Sequence, residues 1–156
     1  MDLHKKNALA VVILAAGKGT RMESDLPKVL HEVGGKPMLS HVINRAVELG
    51  AKKIISIIGY EHELVIKTIA NEPTEFALQL EQLGTGHAVL QCATQLSEFE
   101  GNVLVLSGDV PLISFQTLKG LLETHQQSGT SATLLSALVE NATGYGRVIR
   151  NKNNTL

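Results

Sequence analysis

The apolar run at residues 8–14, Ala-Leu-Ala-Val-Val-Ile-Leu, passes without a break into Ala15-Ala16-Gly17-Lys18-Gly19. An uninterrupted apolar run of this length, ended by a glycine turn, reads as a buried strand. Short apolar runs at 53–58, 76–80 and 102–106 read the same way. Helical patterns lie between them. Leu39, Val42, Ile43, Ala46 and Leu49 share one helix face, and Gly50 follows as a stop. Leu64, Val65, Thr68 and Ile69 mark a weaker helix over 61–71. Val89, Cys92, Ala93 and Leu96 form a further stripe, and Phe115, Leu118, Leu121 and Leu122 another after Ser114, a suitable N-cap. Residues 131–139 read as one more strand. Strands alternating with helices predict an α/β chain, a mostly parallel sheet with helices on both faces.

Composition narrows the class. A chain of 156 residues that is 44% apolar and 3% aromatic builds one domain around an aliphatic core. The net charge of −1, with no polybasic run, gives no electrostatic support for binding nucleic acid or a membrane surface. Lys5-Lys6 followed by apolar residues resembles a signal peptide. Cleavage there would remove the strand that anchors the glycine loop, so a cytoplasmic location is expected. No apolar run reaches the roughly 18 residues of a membrane span. The single cysteine, Cys92, excludes an intrachain disulfide and is expected in the core. The six histidines show no metal-ligand spacing. His41 and His125 are expected to pack, and His87 to open a helix.

The glycine loop carries the chemistry. Backbone N–H groups at a glycine turn leaving a strand can surround phosphate oxygens. Lys18, Arg21 and Lys28 add three cations, with Pro27 stiffening the approach of Lys28. It is not a P-loop, because Lys18 is followed by Gly19 and Val12 stands five before Gly17. Nor is it a dinucleotide fingerprint, because Met22 occupies the last small position. A turn with solvated charges is the alternative for this loop taken alone. Ligands in such sheets bind beyond the carboxyl ends of strands, where the loops after Leu14, Leu80 and Leu106 would meet.

Four ordered segments carry a resemblance: Leu14-Ala15-Ala16-Gly17-Lys18-Gly19-Thr20-Arg21-Met22 with Pro27-Lys28; Gln79-Leu80-Glu81-Gln82-Leu83-Gly84-Thr85-Gly86-His87-Ala88; Ser107-Gly108-Asp109-Val110-Pro111-Leu112; and Thr143-Gly144-Tyr145-Gly146-Arg147. Together they resemble the sugar-phosphate nucleotidyltransferases. Within these, they are similar to the uridyltransferase domain of the bifunctional bacterial N-acetylglucosamine-1-phosphate uridyltransferase / glucosamine-1-phosphate N-acetyltransferases. The resemblance implies a Rossmann-like fold of the nucleotide-diphospho-sugar transferase type. It implies that UTP and N-acetylglucosamine 1-phosphate give UDP-N-acetylglucosamine and pyrophosphate, with Mg²⁺, for cell-wall and lipopolysaccharide precursors.

The resemblance also implies residue roles. Arg21 clamps the leaving phosphates, Lys28 neutralises the α-phosphate and the sugar phosphate, and Asp109 holds Mg²⁺. Leu14, Ala15, Ala16 and Gly17 supply backbone contacts to the nucleotide. Gln79, Gly84 and Thr85 read uracil, Ser107 and Gly108 lie beside substrate, and Gly146 lies against the sugar. Family members continue past this length with further sugar contacts, a second metal-holding asparagine and a trimeric β-helix acetyltransferase half. Residues 1–156 are therefore expected to be a partial nucleotidyltransferase domain that binds UTP weakly and turns over little. Arg147-Val148-Ile149-Arg150 is expected to be a strand in search of a hairpin partner. Another sugar or polyol phosphate as substrate, or a non-catalytic nucleotide-binding domain, are the competing readings.

Overall fold

The computed structural model describes residues 8–19 and 22–152. The chain divides into two compact units, Met1–Phe115 and Gln116–Leu156. In the first, β1 (Leu9–Ala15), β4 (Lys53–Ile58), β5 (Glu75–Leu78) and β6 (Asn102–Ser107) form one sheet in the order β5-β4-β1-β6. Every pairing in it is parallel. The α/β expectation therefore holds, with the first apolar run as a central strand. Val11, Val12 and Ile13 of β1 and Ile55, Ile57 and Ile58 of β4 are inaccessible to solvent. Burial on both faces explains why these strands read as unbroken apolar runs rather than as alternating ones.

The short helices α3 (Thr85–Leu90) and α4 (Ala93–Leu96) flank Cys92. Ala88 and Cys92 pack with Val12, Ile55, Ile57 and Ala77 on one face of the sheet. The expected stripe through Val89, Cys92, Ala93 and Leu96 is thus broken into two helices by a turn at Gln91 and Cys92. Helix α1 (Met38–Glu48) packs against β1 as well. Leu39, Val42, Ile43 and Ala46 of that helix are fully buried, as their spacing predicts. Gly50 follows with φ +76°, a left-handed stop that glycine adopts without a Cβ penalty.

Several boundaries differ from expectation. Helix α2 is His62–Thr68 rather than 61–71, with Leu64 exposed and Val65 and Ile69 buried. Strand β5 ends at Leu78 and Leu80 is 76% exposed, so that residue belongs to the loop. A small antiparallel hairpin, β2 (Glu32–Val33) with β3 (Lys36–Pro37), was not anticipated. Gly34 and Gly35 at its turn have φ +61° and +78°, the signature of a two-residue hairpin turn.

In the second unit, α5 (Phe115–Ser128) follows Ser114 as predicted. His125 is half-buried with Nδ1 2.9 Å from the Thr133 hydroxyl, in line with a packing role. The strands expected at 131–139 and 147–150 are absent; both segments are irregular. Leu134, Leu135, Leu138 and Val139 are all exposed. Strand preference is realised only when a ladder partner and a covering surface are supplied, and among the described residues these segments have neither.

Candidate nucleotide site

Strands β4 and β5 lie on one side of β1 and β6 on the other. The order of the sheet therefore reverses between β1 and β6, and a crevice opens at the carboxyl ends of strands there. A cavity of about 650 Å³ occupies that position, lined by Leu14, Ala15, Ala16, Gly17, Lys18, Gly19, Met22, Lys28, Val29, Gln79, Gln82, Gly84, Thr85, Ala88, Ser107 and Asp109. Three loops remote in sequence, after β1, β5 and β6, converge on it.

The first loop is fastened from both sides. Leu14 accepts from Gly108 N–H at 2.9 Å. Ala16 accepts from Gln82 Nε2 at 2.9 Å and from Tyr60 N–H at 3.3 Å. With these carbonyls engaged inside the fold, the loop's capacity for an anion rests on its N–H groups. Gly19 has φ +66°, and a Cβ on it would come within 2.6 Å of Lys28 Cβ. The spacing of the glycines therefore lets the Lys28 stem lie directly against the loop. Lys18, expected either to face solvent or to bind phosphate, holds its ammonium 5.1 Å from the centre of the Tyr60 ring.

Lys28 Nζ donates to Asp109 Oδ2 at 2.6 Å, across 81 positions of sequence. The two side chains are 39% and 35% exposed, so the pair adds little to stability, below about 1 kcal/mol. What the pair shows is placement: one cation and one carboxylate face the same space from different loops. Helix α5 starts at Phe115, so Asp109 is not its cap.

Gln79 is 4% exposed. Its N–H is donated to the Ile58 carbonyl at 2.8 Å, which extends the β4–β5 ladder by one residue. Its side-chain nitrogen stands 3.2 Å from the Gly84 carbonyl and 3.0 Å from His87 Nδ1. His87 lies in the first turn of α3, as expected. Thr85, Gly84 and Ser107 are exposed on the cavity wall.

Other expected site residues fall elsewhere. Gly108 is buried and does not line the cavity; a Cβ on it would stand 3.0 Å from the Leu14 carbonyl. Its small size sets the approach of β6 to β1 and so the position of Asp109. Gly146 lies in the second unit. Arg21 lies outside the described residues. Gln82, Met22, Val29 and Ala88 were not anticipated as lining residues. Gln82 had a signal, since it stands inside the second motif beside Gly84.

A comparison with protein families matches residues 11–144 to the MobA-like NTP transferase domain. This chain belongs to that family. The NTP transferase assignment agrees with the parallel sheet and with the crevice at its reversal point. "Bifunctional protein GlmU" of Bacillus mycoides is 52% identical over 142 residues, 91% of this chain and 31% of that protein. "Bifunctional protein GlmU" of Bacillus cereus is 51% identical over the same share. The chain thus spans about a third of the length of the curated relatives it matches. Among solved structures, Rv0371c of Mycobacterium tuberculosis superposes with a TM-score of 0.68 at 19% identity, covering 78% of this chain and 62% of that one, a likeness of fold.

Divalent metal fits this NTP transferase site in one particular way. Among the described residues, no group of three or more His, Cys, Asp or Glu side chains could hold an ion. A Mg²⁺ ion is commonly held by one or two carboxylates together with substrate phosphates. Asp109, a hard oxygen donor on the cavity wall, suits that arrangement and not an all-protein cage.

Proposed function

We propose that the chain is the uridyltransferase part of a bacterial sugar-nucleotide enzyme, joining UTP to N-acetylglucosamine 1-phosphate. A phosphate oxygen of the sugar phosphate attacks the α-phosphorus of UTP. A new P–O bond forms, the α,β-bridging P–O bond breaks, and pyrophosphate leaves with the electron pair. The nucleophile is already ionised at neutral pH, so the reaction needs no general base. The barrier is repulsion between two anions and charge growing on the leaving group, which positioned cations and amides lower.

The observation that carries this reading is the convergence of Gly17, Lys28, Gly84 and Asp109 on one cavity. It is supported by the identity with the GlmU proteins across 91% of the chain. In this reading the loop from Leu14 to Gly19 surrounds the triphosphate through its N–H groups. Lys28 moves from Asp109 to the α-phosphate and the incoming sugar phosphate. Arg21 clamps the β,γ-phosphates with its planar fork. Asp109 holds Mg²⁺, which when bound supplies charge neutralisation across the phosphates. Gln79, Gly84 and Thr85 face the uracil, and Ser107 lines the wall beside Asp109.

Calorimetry with UTP and Mg²⁺, run beside pyrophosphate release with a panel of sugar 1-phosphates, tests the reading. Weak UTP binding is expected, with low turnover confined to N-acetylglucosamine 1-phosphate. Asp109→Asn is expected to lower Mg²⁺-dependent turnover by about 100- to 1,000-fold, the range seen when one charge-stabilising group is removed. Selective turnover of a different sugar 1-phosphate would move the substrate assignment. UTP binding with no turnover of any sugar phosphate would leave a nucleotide-binding domain only.

A further inference from the structure

The Ala16 carbonyl accepts two hydrogen bonds, from Gln82 Nε2 at 2.9 Å and from the Tyr60 N–H at 3.3 Å. A carbonyl oxygen only accepts, so it fixes which end of the Gln82 amide faces it. The donors come from two different places: Gln82 from the loop after β5, 66 positions away, and Tyr60 from the turn after β4. The peptide joining Ala16 to Gly17 is trans and planar, so its N–H points away from its C=O. Holding the Ala16 oxygen therefore aims the Gly17 hydrogen in the opposite direction. Gly17 is exposed on the cavity wall, and among the described residues its N–H has no acceptor.

Without those two bonds this peptide is free to turn over. The rotation changes ψ at Ala16 and φ at Gly17, and a glycine takes either sign of φ without a Cβ clash. A Cβ on Gly17 would meet nothing within 4 Å, so packing at that position does not oppose the movement. Turned over, the peptide would present an oxygen to the cavity and repel the nucleotide oxygens that its N–H attracts. We infer that Gln82 is a positioning residue for nucleotide binding: by donating to the Ala16 carbonyl it keeps the Gly17 N–H facing the ligand. It is the shorter of the two bonds and the one made by a side chain. Gln82 is itself exposed, so removing its amide takes no apolar contact from the core. The inference rests on the nucleotide reading above and adds to it a residue of the second motif that acts through the backbone of the first.

Gln82→Met tests this, because it keeps the length of the side chain and loses the donor. Calorimetry with UTP and Mg²⁺ is expected to show affinity about three- to tenfold below that of the wild type, the worth of one hydrogen bond. Thermal melts of the variant separate this from loss of fold. Affinity alone does not distinguish positioning from direct contact with the nucleotide, so the Gly17 amide is also followed by nitrogen-15 spectra with UTP raised to saturation. In the wild type its proton is expected to move downfield as it donates to the nucleotide, and in Gln82→Met that movement is expected to shrink. An unchanged affinity, or a full Gly17 shift in the saturated variant, overturns the inference and leaves the uridine reading standing. A wild-type chain that takes another nucleoside triphosphate in place of UTP overturns the uridine reading, and the Gly17 shift with that nucleotide then decides the inference. A wild-type chain whose Gly17 amide no nucleotide moves overturns the inference.

Discussion

Cys92 shows how far a single residue is set by its surroundings. It is fully buried against Val12, Ile55 and Ile57, and burial pushes its thiol up from the ordinary 9.0 to about 11. The thiolate is the reactive form, so the folded chain is expected to resist a thiol reagent at pH 8 and to react at once when unfolded in urea. The shift also has a stability consequence. The folded state holds the thiol proton more tightly than the unfolded state. The contribution is therefore complete below about pH 9 and is lost as pH rises toward 11, a decline on the order of 2 kcal/mol. Urea titrations between pH 8 and 11, compared with Cys92→Ala, check it. The helical stripe placed Cys92 in the core from sequence, but the turn that breaks the stripe at that residue had no sequence signal.

At the scale of elements, the strand ends decide the site. Gly59 follows β4, and a Cβ there would stand 2.5 Å from the Gln79 carbonyl and 3.1 Å from the Ala16 carbonyl. The first and second motif loops therefore approach each other across a glycine that belongs to neither. Gly59→Ala is expected to destabilise the chain by about 1–3 kcal/mol, the usual cost of overpacking. It is also expected to weaken UTP binding by displacing Gln79. Denaturant titration and calorimetry read the two effects separately. Gly59 went unnoticed in the sequence because its work is done on backbone atoms of two other loops. The strands themselves were legible: β1 and β4, buried on both faces, write themselves as continuous apolar runs, and β6 falls within a residue of its expected bounds although it buries only Leu104 and Leu106 and exposes Val103 and Val105. Segment 131–139 has a comparable composition but is irregular, because composition does not supply a neighbour.

For the molecule as a whole, the described residues of the crevice at the β1–β6 reversal bring few charges: Lys18, Lys28 and Asp109. Among the described residues Asp109 is the single acidic one lining it, and Lys28 already occupies one of its oxygens. Metal and nucleotide should therefore enter as linked ligands. Manganese followed by paramagnetic resonance is expected to bind the chain weakly alone and roughly tenfold or more tightly once UTP is present, within the usual range for coupled sites. Lys28→Ala, which frees the Asp109 carboxylate, is expected to narrow that difference.

The sequence by itself determined the alternation of buried strands and amphipathic helices, because local periodicity follows from which faces must leave water. It also determined the loops that carry phosphate chemistry, because glycine and clustered cations are visible at short range. Only the tertiary structure decided that Lys28 and Asp109 meet, that Gly108 stands behind the wall rather than on it, and that Gln82 reaches the Ala16 carbonyl. Those relations join residues across separate loops, and their distances are set by how the parallel strands stack, which no local pattern encodes.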